Sequence, residues 1–278
     1  RHGFPPVGEV PEHGPVAWRH GDGHHPFHDV IRDALAIVSK PGGCTLIDSL
    51  AAATPVVLLE AYGYAEQANA QVWSARFAPD GETMLYTAQS GATRSVFASN
   101  RFSPESRRVE GGEGILVSVS PRGEMALIRY DGLTPLAGGT LWRKPVNGGG
   151  AVEVERSVFS ADWAPDGSGL ALVRAERGQC RLEYPPGKVL FRTPGYLSNV
   201  RFHPDGKRIA FIHHPLRHDE AGSVELAGLD GSTRTVSKDW TSVGGMAWHP
   251  NGEIWFTAAG AGSLRSVWAA RPAGGKPR

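Results

Sequence analysis

"VRFHPDGKRIAFIH" (residues 200–213) holds two apolar alternations on either side of Pro-Asp-Gly. Val200, Phe202, Ile209 and Phe211 recur with the period of two that puts side chains on one face of a strand. The hinge between them is a turn by its chemistry. Proline presets φ near −65° at the first corner, Asp bonds its own backbone, and Gly takes the positive φ that sends the chain back antiparallel. The stretch therefore reads as a β-hairpin.

The same hairpin occurs five times. "ARFAPDGETMLYTA" (75–88), "VSVSPRGEMALIRY" (117–130), "ADWAPDGSGLALVR" (161–174) and "MAWHPNGEIWFTAA" (246–259) repeat it, with Arg122 in place of the turn Asp in the second unit. The turn prolines are Pro79, Pro121, Pro165, Pro204 and Pro250, so successive intervals are 42, 44, 39 and 46 residues. A repeat near 40 residues with several strands per unit is the pattern of a propeller. Third strands are expected at "SVFAS" (95–99), "TLWRK" (140–144), "CRLEY" (180–184), "SVELA" (223–227) and "SVWAA" (266–270). Fourth strands are expected at "SRRVE" (106–110), "AVEVE" (151–155), "KVLFR" (188–192) and "RTVSK" (234–238), and none follows the fifth unit.

On these residues the chain from 72 to about 270 resembles the WD40-like (PD40) repeats of TolB-type β-propellers. The resemblance implies a mainly β fold, an incomplete propeller of about five four-stranded antiparallel blades occupying 72–278. Five units are fewer than the six or seven usual in such propellers. Open sheet edges follow, and open edges recruit another strand. "VVLLE" (56–60) is one candidate to fill the last blade, and a homo-oligomer through those edges is the other.

Residues 1–71 read differently. In "FHDVIRDALAIVSKPGGCTLIDSLAAATPVVLLEAYGYAEQANA" (27–70) the spacing of Phe27, Val30, Ile31 and Ala34 predicts a short helix. "LAIVS" (35–39) and "VVLLE" read as strands, with a Gly turn and a helix over 45–53 between them. This small α/β segment resembles the donor-binding end of GT-B glycosyltransferases, the UDP-glycosyltransferase and MurG-like enzymes. The resemblance implies that Gly42, Gly43 and Thr45 face the phosphates of a UDP-sugar at a helix N-terminus, where free N–H groups and the helix dipole favour an anion. Asp48 then stands at the ribose position, Glu66 and Gln67 near the sugar, and Lys40 before the loop. Read without the resemblance, Thr45 and Asp48 form a plain capping box. Only a corner of one of the two transferase domains is represented, as in a fused or truncated gene.

Composition excludes some classes. Lys and Arg number 29 against 28 Asp and Glu, a net charge of +1, and the arginines are scattered. That argues against nucleic acid as a partner. No apolar run reaches 18 residues, so no membrane span is expected, and no signal peptide is visible. The first residue is Arg1 rather than Met, which reads as a cut or processed end. Cys44 and Cys180 do not make a disulfide framework. That favours a cytoplasmic location, while the TolB resemblance points to the periplasm.

Histidine is the residue type that carries candidate chemistry. His203 and His249 fill the same slot, just before the turn proline, in consecutive units. Equivalent slots in neighbouring blades share a face, so the two converge, and His214 in "HHPLRHDE" (213–220) supplies a third imidazole. Three neutral imidazoles are a zinc site, and a divalent metal with bound water would support hydrolysis. His20, Asp22, His24, His25, His28 and Asp29 form a second, N-terminal group. No G-x-S-x-G elbow, H-E-x-x-H or phosphate loop is present. Three functions follow from the sequence. The first is a non-catalytic binding module using the channel mouth, for a protein or small-molecule ligand, or the open edges. The second is a metal-dependent hydrolase at His203, His249 and His214. The third is UDP-sugar binding or glycosyl transfer.

Overall fold

The computed structural model describes residues 37–39, 56–58, 71–90, 93–100, 103–130, 138–217, 219–262 and 264–278. All regular structure among them is β. The first blade holds β3 (Gln71–Phe77), β4 (Thr83–Ser90), β5 (Thr93–Asn100) and β6 (Ser103–Glu113), paired in that order. The second holds β7 (Ile115–Val119), β8 (Glu124–Arg129), β9 (Gly139–Pro145) and the first half of β10 (Val152–Trp163). The second half of β10 opens the third blade, followed by β11 (Leu170–Glu176), β12 (Gln179–Glu183) and β13 (Val189–Thr193). The fourth blade is β14 (Tyr196–Phe202), β15 (Arg208–His214), β16 (Gly222–Gly228) and β17 (Thr233–Trp240). The fifth has three strands, β18 (Ser242–Trp248), β19 (Ile254–Ala259) and β20 (Ser266–Ala270). Every neighbouring pair within a blade is antiparallel.

One departure from the sequence pattern is the union of "AVEVE" and "ADW". They form a single strand that leaves β9 at Val158 and takes up β11 from the same residue. Ser157, at φ 56°, sits where the strand bends.

The core is divided into layers between blades, and the period of two decides which layer each residue joins. On β8, Met125 and Leu127 pack with Leu85, Val96 and Ala98 of the first blade. The alternate residues Ala126 and Ile128 pack with Ala161 and Leu172 of the third. On β15, Ile209 and Phe211 face Val173 and Leu182, while Ala210 and Ile212 face Val243 and Phe256. The second strand of a blade is thus buried on both faces, which is why "MALI", "LALV" and "IAFI" read as unbroken apolar runs.

The inner strands neighbour one another in the order β3, β7, β10, β14, β18. Among the described residues, β18 also meets β2 (Val56–Leu58). β2 pairs in parallel with β1 (Ile37–Ser39), in the register Ile37↔Val56. Strands are therefore present at 37–39 and 56–58, inside the expected 35–39 and 56–60, but β2 is not paired as the outer strand of the last blade. The expected helices at 27–34 and 45–53 lie outside the described residues.

All five turn glycines, Gly81, Gly123, Gly167, Gly206 and Gly252, have φ between 66° and 84°. At Gly206 an added Cβ would lie 3.4 Å from Cγ of Pro165, close to ordinary contact, so the backbone conformation dominates the cost. Gly206→Ala is expected to lower stability by about 1–2 kcal/mol. A urea titration that moves by less than a tenth of that would show the turn can relax.

Candidate functional site

Each inner strand carries one residue three places before its turn proline: Arg76, Ser118, Asp162, Arg201 and Ala247. Three of them bond the main-chain edge of the blade that follows. Arg76 Nη2 donates to Val117 O at 2.8 Å. Ser118 Oγ accepts the Trp163 N–H at 3.1 Å and donates to Asp162 Oδ1 at 2.7 Å. Asp162 Oδ2 accepts the Phe202 N–H at 2.7 Å. In return, Trp248 Nε1 of the fifth blade donates to Arg201 O at 3.2 Å. Polar side chains near the axis are thus used to stitch blades together. The sequence offered a signal for them: in "ARF", "VSV", "ADW" and "VRF" a polar residue interrupts an otherwise apolar triplet.

His203 and His249 occupy matching turns, and each ring serves its own turn. Nδ1 of His249 accepts the Asn251 N–H at 3.2 Å, and the ring stacks on Trp255 at 4.8 Å. Nδ1 of His203 faces both the N–H of Asp205 at 3.0 Å and its Oδ1 at 2.9 Å, so either tautomer finds a partner. The ring meets Trp248 edge-on at 4.4 Å. Ser120 does the same work in the second turn, its Oγ accepting the Arg122 N–H at 3.2 Å. The slot calls for an acceptor reaching two residues ahead, and His and Ser both provide one. At Asp205 burial pushes the carboxyl up. The Lys207 N–H, the Arg208 guanidinium and His203 outweigh it and hold the group down to about 2.

His214 is elsewhere. It ends β15, whose first residue Arg208 bonds His203 through the main chain. The six steps of β15 from Arg208 to His214, at about 3.4 Å each, put its two ends roughly 20 Å apart. The structure therefore does not bring His214 to His203 and His249. Among the described residues no three His, Cys, Asp or Glu side chains form a group that could hold a metal ion. His214 is 3% exposed and stacks on Tyr196 at 4.0 Å. Its Nδ1 lies 3.1 Å from Ala221 O and its Nε2 2.9 Å from Ser198 Oγ. Because a carbonyl only accepts, Nδ1 carries the proton and Nε2 accepts from the serine. Burial pushes this imidazole down to about 4; the Ala221 carbonyl acts against that, and His213 and Arg265 add to it. Lys40, Gly42, Gly43, Thr45, Asp48, Glu66 and Gln67 lie outside the described residues, as does the N-terminal group His20 to Asp29.

The described residues also line surface clefts. One, of about 330 Å³, lies between the second and third blades, where Arg143 pairs with Glu124 at 2.8 Å and sits 5.4 Å above the Trp163 ring. Another, of about 580 Å³, borders the last blade and is floored by Val236, Trp240 and Trp268. Trp240 and Trp268 touch with ring centres 4.9 Å apart. Beside this groove runs the outer edge of β20. Ala269 exchanges both main-chain bonds with Arg278, at 2.8 and 3.1 Å. Antiparallel alternation then turns the N–H and C=O of Val267 to the same edge. Among the described residues nothing pairs with them.

Comparison with known proteins agrees with this architecture. The putative TolB of Agrobacterium tumefaciens superposes with a TM-score of 0.60 at 15% identity, over 74% of this chain and 79% of that one. TolB of Acinetobacter baumannii gives 0.51 at 14% identity, over 74% of this chain and 56% of that one. The tricorn protease gives 0.53 at 20% identity, over 75% of this chain and 22% of that one. At such identities the likeness is one of fold, a TolB-like propeller. A stretch of 54 residues is 33% identical to the U5 small nuclear ribonucleoprotein 40 kDa protein of Pongo abelii, covering 18% of this chain and 15% of that protein. No family model matches the chain. These comparisons support the propeller repeats and give no support to the glycosyltransferase resemblance expected over 27–70. No helix among the described residues is long and apolar enough to cross a membrane.

Proposed function

We propose that the protein is a non-catalytic propeller module that binds a partner at the groove bordering its last two blades. The observation that carries this reading is the pair Trp240 and Trp268 lining that groove, with ring centres 4.9 Å apart. Paired tryptophans at a concave surface are the side chains that dominate binding energies. The rest of the wheel supports it. Asp162, Ser118 and Arg76 bond neighbouring blades, and the turn histidines bond their own turns. Such a scaffold presents a rigid rim.

A panel of ester, phosphoester and glycoside substrates, run with and without added zinc, tests the reading. The expected result is no turnover above buffer in either condition. Turnover that disappears in His203→Ala or His249→Ala would replace it with the metal-dependent hydrolase.

A further inference from the structure

We propose that the cleft between the second and third blades binds a small organic carboxylate with an apolar body. This site is separate from the tryptophan groove at the last two blades.

One side of the cleft is built by the turn that departs from the repeat. In the other four turns the second corner is Asp80, Asp166, Asp205 or Asn251, and its side chain accepts the N–H two residues ahead, at 2.8–2.9 Å. Arg122 cannot do this, since a guanidinium only donates. Ser120 Oγ takes over and accepts the N–H groups of both Arg122 and Glu124, at 3.2 and 3.0 Å. The turn thus closes without the side chain of position 122. That side chain reaches the third blade instead: a Cβ added at Gly167 would lie 3.5–3.7 Å from its Nε, Cγ and Cδ. Arg122 is exposed and makes no hydrogen bond or ion pair among the described residues. The carboxyl of Asp166 on the facing turn is held below its ordinary range first by the Ser168 hydroxyl and N–H, and only last by the charge of Arg122.

A second guanidinium shares the cleft. Arg143 pairs with Glu124 through Nη2 alone, at 2.8 and 3.0 Å to the two carboxylate oxygens. Its Nε and Nη1 make no hydrogen bond among the described residues. Glu124 is the acidic residue of the lining, so Arg122 and Arg143 together leave one positive charge uncompensated. A guanidinium fork matches the two oxygens of a carboxylate. Most of the remaining lining is apolar, with Val154, Trp163, Leu170, Leu172 and Pro186 around it. A volume of about 330 Å³ lies at the small end for ligand sites. One surplus positive charge, a donor fork and apolar walls in so small a space match a compact monocarboxylate. Inorganic phosphate offers these walls no apolar surface.

The test titrates phenylacetate, phenylacetamide, acetate and inorganic phosphate into the protein at low salt, with the indole N–H resonance of Trp163 as the local readout. Phenylacetate is expected to bind with a Kd of about 1 mM and to shift that resonance. Phenylacetamide lacks the charge and acetate lacks the apolar body, so each should bind at least about tenfold more weakly. Arg122→Asp installs the residue type of the other turns, so it should keep the melting temperature at least as high while weakening phenylacetate by about tenfold. Arg143→Lys keeps a cation beside Glu124 but loses the fork, and should weaken phenylacetate by about the same factor. Phenylacetamide or phosphate binding as tightly as phenylacetate, absence of binding, or indifference to Arg122→Asp would each overturn the proposal. A phenylacetate response confined to Trp240 and Trp268 would overturn it too, while leaving the reading of their groove in place.

Discussion

Replacing Asp162 by Ala should lower the unfolding free energy by about 3–5 kcal/mol, measured by urea titration at neutral pH. Two donors meet this carboxylate from different blades, Ser118 Oγ at 2.7 Å from the second and the Phe202 N–H at 2.7 Å from the fourth. Hydrogen bonds to a charged acceptor are worth about 1.5–3 kcal/mol each, and removing the acceptor leaves both donors, on buried residues, unmet. Asp162→Asn keeps one acceptor oxygen and should cost about half as much. Ser118→Ala also removes the acceptor for the Trp163 N–H. Because the two side chains share a bond, the double variant should cost less than the sum of the singles by about 1 kcal/mol. A loss below about 1 kcal/mol in Asp162→Ala would mean that water replaces the carboxylate at the axis, and that the blades are held by their apolar layers alone.

That result would also explain what the sequence conceals. The blades were legible because Pro-x-Gly turns and period-two alternation are local, and a turn residue advertises the turn it makes. The third strand expected at 266–270 is β20 to the residue, and those at 140–144 and 223–227 are β9 and β16 extended by one residue at each end. The polar residue inside each apolar triplet marked Arg76, Ser118 and Asp162, but their partners were not legible, because each bond spans about one repeat, from 40 to 45 residues. Nothing local requires it. The histidines misled for the opposite reason. His203 and His249 recur in register, and recurrence suggested a shared site, yet the recurring demand is for an acceptor within each turn, which Ser120 meets equally well. His214 looked close in sequence to the first of these. A seven-residue strand carries it to the other end of the blade. The course of β2 was illegible too. Alternation identifies a strand but does not say which edge it joins.

Between pH 6.5 and 4 the protein should lose about 2–4 kcal/mol of stability through His214. Its folded value near 4 lies below the ordinary 6.5, so within this window the unfolded chain binds a proton that the folded chain refuses. Stability rises with pH wherever the unfolded state holds more protons, so acidification through the window destabilises, and the loss levels off below pH 4. A difference of about 2.5 units at about 1.4 kcal/mol each sets the scale. The side chain is 3% exposed, so little solvent screening reduces it. The physical obstacle is specific. Nε2 accepts from Ser198 Oγ, and protonating it puts a cation against Tyr196, with His213 and Arg265 opposing the charge. His213 is itself held low by burial, with Glu225 acting against that, so it adds a smaller slope of the same sign. Asp205, held near 2, loses its contribution only as the pH falls from about 4 toward 2, so this carboxylate acts below the histidine window. His214→Gln can still donate to Ala221 O and accept from Ser198, and should flatten most of the slope between pH 6.5 and 4. A wild-type protein equally stable at pH 7 and pH 4.5, or a His214 ring that titrates near 6.5 by NMR, would show that the end of β15 opens to admit water around the imidazole.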